Sequence, residues 1–387
     1  MIPYGRQDIL EEDIEAVKKV LTSDFLTQGP AITDFEEALG REVGSNHVTA
    51  YTSATAALHA AYDALGITKG SLVWTSPNTF VSTANAAVML GADIDFVDID
   101  LETYNMCVQK LHEKLIEAKK RGRLPDLVVP VHFSGQSCDM EKIGQLAKEF
   151  GFKVVEDASH AVGGRYKDRP VGSCDHSDIT VFSFHPVKII TTGEGGATTT
   201  NDPDLDRRMK SFRTHGITRD VNLMDQTPDG PWYYQMLHLG YNYRITDIQA
   251  ALGLSQLQRL HEYIKKRHEV AAFYDEHLAS FGLGLPAHMD WQYSARHLYV
   301  IQWPEGLGGH NRLSGFKALR EYGIGVNVHY IPVNAQPFYK KFGFSEIDFP
   351  NAKRYYDQTI SLPMYPGLNT DQLEYIADAL SKLTGNK

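Results

Sequence analysis

The sequence predicts an α/β fold in which helices cover both faces of a mostly parallel sheet, followed by a smaller α+β domain. Short β-rich runs alternate with helix-like segments from about residue 12 to 280, the pattern of a parallel sheet with crossover helices. After about residue 290 the alternation stops. At 387 residues the chain is also too long for one small core, and we place two domains at 1–250 and 251–387.

The strands are predicted where short apolar runs stop at turn-forming or polar residues. They fall at residues 73–74, 94–97, 127–131, 153–155 and 179–182. Helix-like segments such as 54–65 and 140–150 lie between them. Because ligands of such sheets bind beyond the carboxyl ends of the strands, residues that directly follow a strand are the first functional candidates.

A long connecting helix is predicted from about residue 246 to 280, where apolar residues recur at near-helical spacing. Such a helix often joins a large domain to a smaller one. The remainder carries a strand-like run at 298–303 and a closing helical pattern at 370–383, which together predict the small α+β domain.

Composition argues against several classes of protein. A net charge of -10 is unfavourable for a general nucleic-acid binder, because phosphate backbones bind clustered Lys and Arg side chains. No stretch approaches the roughly 18 apolar residues of a membrane span, and the first residues lack the apolar core of a signal peptide. Three scattered cysteines suit neither a disulfide framework nor a zinc site. We therefore expect a reduced, cytoplasmic enzyme without a metal.

The most informative segment is SFHPVKIITTGEGG at residues 183–196, where Lys188 follows a predicted strand and precedes a glycine-rich turn. A lysine forms an imine with an aldehyde when its surroundings let the amine lose its proton. Val187, Ile189 and Ile190 make an apolar setting that is unusual for a surface loop. The alternative, a solvated surface lysine, stays open on this segment alone.

Asp157 ends the apolar strand of the run VVEDASH. A carboxylate at that place can keep a pyridine nitrogen protonated, which makes the ring an electron sink. The alternative is a simple helix N-cap. His160, in the same run, is a candidate to pack against a flat ring or to satisfy a loop carbonyl. Phe80 also follows a strand, and it would either stack on that ring or belong to the core.

An anion site is predicted at the start of the alanine-rich helix in TSATAALH, which contains Ala54 and Thr55. Free backbone amides and the helix dipole favour a phosphate there, although such residues are often only caps. Ser183 is a further candidate phosphate ligand. No GxGxxG motif is present, which disfavours a nicotinamide-dependent dehydrogenase. The GxxxxGK[ST] phosphate loop and the GxSxG nucleophile elbow are absent as well, which disfavours the enzymes that carry them.

Taken together, these segments resemble the DegT/StrS family of sugar-nucleotide aminotransferases, which have the aspartate-aminotransferase fold, also called PLP fold type I. The resemblance covers nearly the whole chain. It runs from IPYGR and LTQGP near the start, through SATAALH, TFVSTANAA, EDASHA and SFHPVK…GEGG, to GYNYRITD and SLPMYP.

The resemblance implies pyridoxal 5'-phosphate (PLP) as the cofactor and assigns roles to matching positions. Lys188 would form the Schiff base, Asp157 would hold the pyridine nitrogen, and Phe80 and His160 would contact the ring. The phosphate ligands implied by the same match are Ala54, Thr55 and Ser183. Asn242, in GYNYR, would reach the phosphate in the neighbouring subunit, which implies a homodimer with shared active sites.

Substrate ligands are implied less specifically. Arg244 and His329 are candidates for the donor carboxylate or a nucleotide phosphate, His185 for the sugar pocket, and Tyr4 and Tyr330 for further substrate contacts; structural roles are the alternative. The opening, LTQGP and SFHPVK segments look closest to the pseudaminic-acid branch. That branch implies amination at C4 of a UDP-linked 4-keto-6-deoxy-L-altrose-type N-acetyl sugar, with L-glutamate as donor.

Two departures and three alternatives accompany this interpretation. The family's usual SGT is SAT here, so Ala54 replaces a glycine, and a late histidine of many relatives is Asn334. The main alternative is an aminotransferase for a different nucleotide-linked keto sugar. A dehydratase of the same family would carry histidine in place of Lys188. A non-catalytic sensor of PLP and a sugar nucleotide is disfavoured because no DNA-binding module is recognisable.

Overall fold

The computed structural model describes residues 1–386. The helices are α1 Glu11–Leu21, α2 Pro30–Val43, α3 Ala54–Ala64, α4 Val81–Met89, α5 Val108–Lys120, α6 Met140–Phe150, α7 Pro203–Arg213, α8 Asp247–Leu257, α9 Leu260–His277, α10 Arg312–Glu321, α11 Pro337–Lys340, α12 Pro350–Gln358 and α13 Thr370–Thr384. The strands are β1 His47–Tyr51, β2 Leu72–Thr75, β3 Asp93–Phe96, β4 Leu127–Val129, β5 Lys153–Asp157, β6 Arg165–Tyr166, β7 Arg169–Pro170, β8 Ile179–Ser183, β9 Gly196–Thr200, β10 Ile217–Thr218, β11 Gln235–Met236, β12 Gln292–Tyr293, β13 Tyr299–Gln302 and β14 Thr359–Leu362.

A 7-stranded sheet with the order β1-β9-β8-β5-β4-β2-β3 forms the centre of the molecule. The run from β8 to β3 is parallel throughout, whereas β9 lies antiparallel to both of its neighbours. The predicted α/β class with a mostly parallel sheet is confirmed, and the five strands predicted between residues 73 and 182 lie in this sheet. The sequence did not predict β1 or β9.

Helices cover both faces of this sheet because its strands bury side chains on both sides. In β8, Ile179 and Val181 belong to the core beneath α3 and α4, whereas Phe182 lies in the opposite core with residues of α2 and α8. The alanines of α3 have short side chains, so this helix packs closely on the sheet. The start of α3 is thereby held beside the end of β8 and the start of β9.

The prediction of one helix over 246–280 is wrong, because α8 ends at Leu257 and α9 begins at Leu260. Arg259 lies between them, and its guanidinium donates a hydrogen bond of 2.5 Å to the buried carboxylate of Asp13. The two helices pack differently: α8 lies against α1 and α2, whereas the second half of α9 contributes Tyr274 to a core shared with α13. Each helix therefore turns its apolar residues towards a different neighbour.

The C-terminal part contains the antiparallel pair β13 and β14, covered by α9, α10 and α13. This agrees with the predicted smaller α+β region, while the boundary at residue 250 stays a prediction. The first residues of the chain join this part, because Ile2 pairs with Ile324 and the amide of Met364 donates to the carbonyl oxygen of Tyr4 at 3.0 Å. The N-terminus thus brings Tyr4 to the boundary between the large sheet and the C-terminal region.

The remaining features of the fold concern thiols, metal ligands and membrane-spanning helices. The cysteines Cys107, Cys138 and Cys174 are free thiols. Within residues 1–386, no group of three or more His, Cys, Asp or Glu side chains is arranged to hold a metal ion. None of the helices in that range combines the length and the apolar character that crossing a bilayer requires.

Candidate functional site

A cavity of about 580 Å³ lies at the carboxyl ends of β5 and β8. Both the large sheet and the C-terminal part line it, and the N-terminal segment adds one side chain. The predicted site residues that it brings together are Tyr4, Ala54, Thr55, Phe80, Asp157, His160, Ser183, His185, Lys188, His329 and Tyr330. Residues that lie far apart in the sequence therefore converge beyond the carboxyl ends of the strands, where ligands of parallel sheets bind.

Lys188 lies in the turn that follows β8, where its backbone amide donates to the carbonyl oxygen of His185 at 2.8 Å. The next two residues, Ile189 and Ile190, are buried in the core and fix the turn in place. Burial lowers the pKa of the Lys188 amine to about 8, and the negative charge of Asp157 partly opposes this shift. A larger fraction of this amine is neutral near physiological pH than for an exposed lysine.

Asp157 is the last residue of β5, and its side chain is buried. One carboxylate oxygen accepts a hydrogen bond of 2.6 Å from the Thr83 hydroxyl, and the other accepts one of 3.1 Å from the Ser159 amide. Thr83 lies in the first turn of α4, and its hydroxyl is also 2.8 Å from that of Thr79. Both carboxylate oxygens are thus oriented by the protein before any ligand binds.

The N-terminus of α3 forms a third feature of the cavity. Ser53 is the N-cap, and its hydroxyl accepts from the Ala56 amide at 3.2 Å. Ala54 begins the helix with ordinary backbone angles, so the glycine of the family's SGT is not required at this position. Gly196 is required nearby, because a Cβ atom there would lie 2.5 Å from the nitrogen of Ala54. Ser183, at the end of β8, completes this group.

Aromatic rings line the remaining walls. The His160 ring lies 4.4 Å from that of His297 and 6.0 Å from that of Tyr330, measured between centroids. The Phe80 ring lies 6.1 Å from that of Tyr330. Phe80 is 57% exposed, so its face is available for stacking, and the alternative that it belongs to the core is wrong.

Two predicted site residues do not line the cavity. Asn242 is exposed and its backbone pairs with Thr214, whereas Arg244 is half-buried and pairs with Tyr51. Asn334, the departure from the family pattern, is buried and donates to the carbonyl oxygen of Ser345 at 2.7 Å. Within one chain, neither Asn242 nor Arg244 is placed to contact a ligand in this cavity.

Sequence reasoning missed several residues that shape the site. Thr83 lies one helical turn after Thr79 in TFVSTANAA, so its position beside the strand ends had a local signal. Ser134 follows the predicted strand 127–131, so its place after a strand end was a signal that could have found it. His297 is buried beside His160, but it precedes a strand, where the criterion does not apply.

The lining suits PLP, the cofactor expected from the sequence. Lys188 offers an amine of lowered pKa to the aldehyde, and Asp157 offers an oriented carboxylate to the pyridine nitrogen. The N-terminus of α3, with hydroxyl groups of Thr55 and Ser183 nearby, suits a phosphate. These groups all line one cavity, so the residues present fit the chemical groups of this cofactor.

Comparison with known sequences supports the same conclusion. The model of the DegT/DnrJ/EryC1/StrS aminotransferase family matches residues 7–381. The spore coat polysaccharide biosynthesis protein SpsC of Bacillus subtilis is 42% identical over 382 residues, covering 98% of this chain and 96% of that protein. A UDP-4-amino-4,6-dideoxy-N-acetyl-beta-L-altrosamine transaminase of Campylobacter jejuni is 39% identical over 384 residues, with coverage of 98% and 96%.

Solved structures are similar over the full length. Helicobacter pylori PseC, an aminotransferase involved in the biosynthesis of pseudoaminic acid, has a TM-score of 0.90 at 32% identity and covers 100% of both chains. The PLP form of Spr1654, a putative sugar aminotransferase of Streptococcus pneumoniae, has a TM-score of 0.88 at 28% identity, with coverage of 99% and 98%. The cavity, the family match and these structures together identify the chain as a PLP-dependent aminotransferase of the DegT/DnrJ/EryC1/StrS family.

Proposed function

We propose that this enzyme transfers the amino group of L-glutamate to C4 of a UDP-linked 4-keto-6-deoxy-N-acetyl hexose of the L-altrose type, a step of pseudaminic acid biosynthesis. The observation that carries the transamination is the convergence of the Lys188 amine, the Asp157 carboxylate and the N-terminus of α3 on one cavity. The sugar is inferred from the activity of the Campylobacter jejuni relative and from the pathway of Helicobacter pylori PseC. Similarity to SpsC favours one alternative, another nucleotide-linked keto sugar.

When bound, PLP supplies an aldehyde for the amino group and a ring that withdraws electrons. Asp157 would keep the pyridine nitrogen protonated, because hydrogen bonds from Thr83 and Ser159 hold both of its oxygens in place at the cavity. The nitrogen of Lys188, with a pKa of about 8, would accept a proton from the substrate carbon that bears the amino group and deliver it to the carbon that the cofactor supplies as an aldehyde. Both protonation states of this amine are populated near neutral pH, which such a shuttle requires.

The other candidate substrate-binding residues differ in whether their side chains can carry a positive charge. Burial, reinforced by the positive charge of Lys188, lowers the pKa of His329 to about 3, so its ring is neutral and is not the cation for a carboxylate. Its Nδ1 lies 2.7 Å from the Ser361 hydroxyl, which leaves Nε2 towards Asn327 and the cavity. We propose that His329, Tyr4 and the exposed His185 contact neutral parts of the substrate.

We also propose a homodimer in which a second subunit completes the site. Lys188 is the one Lys or Arg among the cavity-lining residues of the described chain, although glutamate and a nucleotide diphosphate are both anionic. Large apolar side chains are exposed together just before Asn242, which is unusual for a free surface. They are Val221, Leu223, Trp232, Tyr234, Met236, Leu237 and Leu239. A second subunit would cover them and bring Asn242 and Arg244 towards the neighbouring cavity.

The cytoplasmic location expected from the sequence stays a prediction.

The lowered pKa of Lys188 predicts how the apoprotein takes up its cofactor. Below pH 8 the rate of covalent PLP uptake should rise about tenfold per pH unit, because the neutral amine is the nucleophile, and above pH 8 it should level off. The measurement is the growth of the visible absorbance band between pH 6 and 9. Lys188→Ala should form no band and show no turnover, whereas Lys153→Ala, at an exposed lysine, should match the wild type. A rate independent of pH below 8 would contradict the assignment.

The dimer predicts complementation between two inactive variants. Lys188→Ala and Arg244→Ala should each lose activity as homodimers. If Arg244 acts in the neighbouring subunit, a mixed dimer has one site without either change, so equal mixing should restore about a quarter of wild-type turnover. The measurement is turnover after the two variants are unfolded and refolded together, with separately refolded variants as the control. No recovery, in a sample shown by sedimentation to contain dimers, would contradict the shared site.

The sugar assignment predicts which substrate regenerates the cofactor. The PLP-loaded enzyme is first treated with glutamate until its visible band is lost, and UDP-linked 4-keto sugars are then added one at a time. The band should return with the L-altrose-type sugar and not with its epimers. If the band returns with another sugar instead, the enzyme is still an aminotransferase, and that sugar is its substrate. If glutamate never removes the band, the donor or the reaction is wrong.

A further inference from the structure

We infer that the hydroxyl group of Tyr330 donates a hydrogen bond to an oxygen atom of the bound ligand, and that the backbone of Ser134 sets this direction through His160. The inference rests on the proposed function only in taking the cavity as the place where cofactor and substrate bind. It names one donor inside that cavity and a positioning residue, Ser134, that lies outside its lining.

The first step concerns Ser134, which lies in the short 3-10 turn Phe133–Gly135 after β4. Its φ of 62° is unusual for a serine, and the residue is buried. Its hydroxyl donates to the carbonyl oxygen of Leu298 at 2.7 Å, and its carbonyl oxygen accepts from the amide of His297 at 3.0 Å. The turn is therefore tied to the C-terminal part, and the direction of the Ser134 amide is fixed.

The second step is the tautomer of His160. The Ser134 amide donates to Nδ1 of His160 at 3.2 Å, so Nδ1 carries a lone pair and the proton of the neutral ring is on Nε2. Burial lowers the pKa of His160 well below its usual value, and the positive charge of Lys188 acts in the same direction. Neither the charged ring nor the other tautomer suits this place, because each would point an N–H at the amide proton.

The third step follows from the distance of 3.0 Å between Nε2 of His160 and the hydroxyl oxygen of Tyr330. Since Nε2 carries the proton, His160 donates and the tyrosine oxygen accepts. The phenol proton must then point elsewhere, and no protein atom within residues 1–386 accepts it. Burial raises the pKa of Tyr330, as do the nearby Asp157 and Tyr4, so the hydroxyl keeps its proton at working pH.

The cavity is the remaining place for an acceptor, because Tyr330 lines it. A donor with a fixed direction and no protein partner suits an oxygen atom that is charged or strongly polarised. Two sources carry such an oxygen: the phenolic oxygen of the cofactor and an oxygen of the substrate. The shared chemistry is a single acceptor oxygen, and different measurements distinguish the sources.

The tautomer is tested on the apoprotein, without cofactor or sugar. Histidine labelled with ¹⁵N is introduced, and the resonances of His160 are assigned by their loss in His160→Gln. We expect Nε2 to be protonated and Nδ1 to be unprotonated from pH 6 to 9, with no titration. A proton on Nδ1, or a ring that becomes charged between pH 6 and 7, would overturn the inference.

The donor is tested with Tyr330→Phe, which removes only the hydroxyl group. If the acceptor belongs to the cofactor, the pH titration of the visible band in the absence of substrate should shift by about one pH unit. If it belongs to the substrate, that titration should stay unchanged, and kcat/KM in one half-reaction should fall about tenfold or more.

Tyr339→Phe is the matched control, because the Tyr339 hydroxyl already donates to Asn85 at 2.6 Å outside the cavity. If Tyr330→Phe changes neither quantity, the hydroxyl has no ligand partner and the inference is wrong. Since neither the tautomer nor the titration involves a sugar, these results stand apart from the sugar assignment.

Discussion

The hydrogen bond from the Thr83 hydroxyl to the Asp157 carboxylate is the contact on which the site depends most. It joins the first turn of α4 to the end of β5, and it directs a buried negative charge into the cavity. A buried carboxylate is costly unless its oxygens are hydrogen-bonded, and here the Ser159 amide satisfies the second oxygen. The charge can therefore stay in the interior, where its influence on neighbouring groups is strong.

The electrostatics of the site follow from that charge and from burial. Burial alone would push the pKa of the Lys188 amine further down, and Asp157 holds it at about 8. The same burial keeps His160 and His329 neutral, so these rings act as hydrogen-bonding groups. The cavity thus combines one amine of lowered pKa with one buried carboxylate and two buried neutral histidines, while the exposed Glu194 also lines it. That combination suits proton transfer at carbon, because few other groups compete for the proton.

Sequence patterns predicted those parts of the site that have local signals. Asp157 and Ser183 end strands, α3 begins at a hydroxyl-bearing cap, and Lys188 lies in an apolar turn, so a few neighbouring residues were enough. The contacts from Thr83 to Asp157 and from Ser134 to His160 join distant segments, and only the packed sheet brings them together. The break between α8 and α9 was also not predicted, and Arg259, which lies in it, contacts Asp13, far away in the chain. The roles proposed for Asn242 and Arg244 involve a second subunit, so one chain does not show them.

The central claim is that Asp157 keeps the pyridine nitrogen of the cofactor protonated, and it can be measured directly. PLP labelled with ¹⁵N at that nitrogen is bound to the apoprotein, and its chemical shift is followed from pH 6 to 9. The account predicts a protonated nitrogen throughout this range in the wild type and an unprotonated one in Asp157→Asn, with Thr83→Val between them. An unprotonated nitrogen in the wild type, or the same shift in Asp157→Asn, would contradict it.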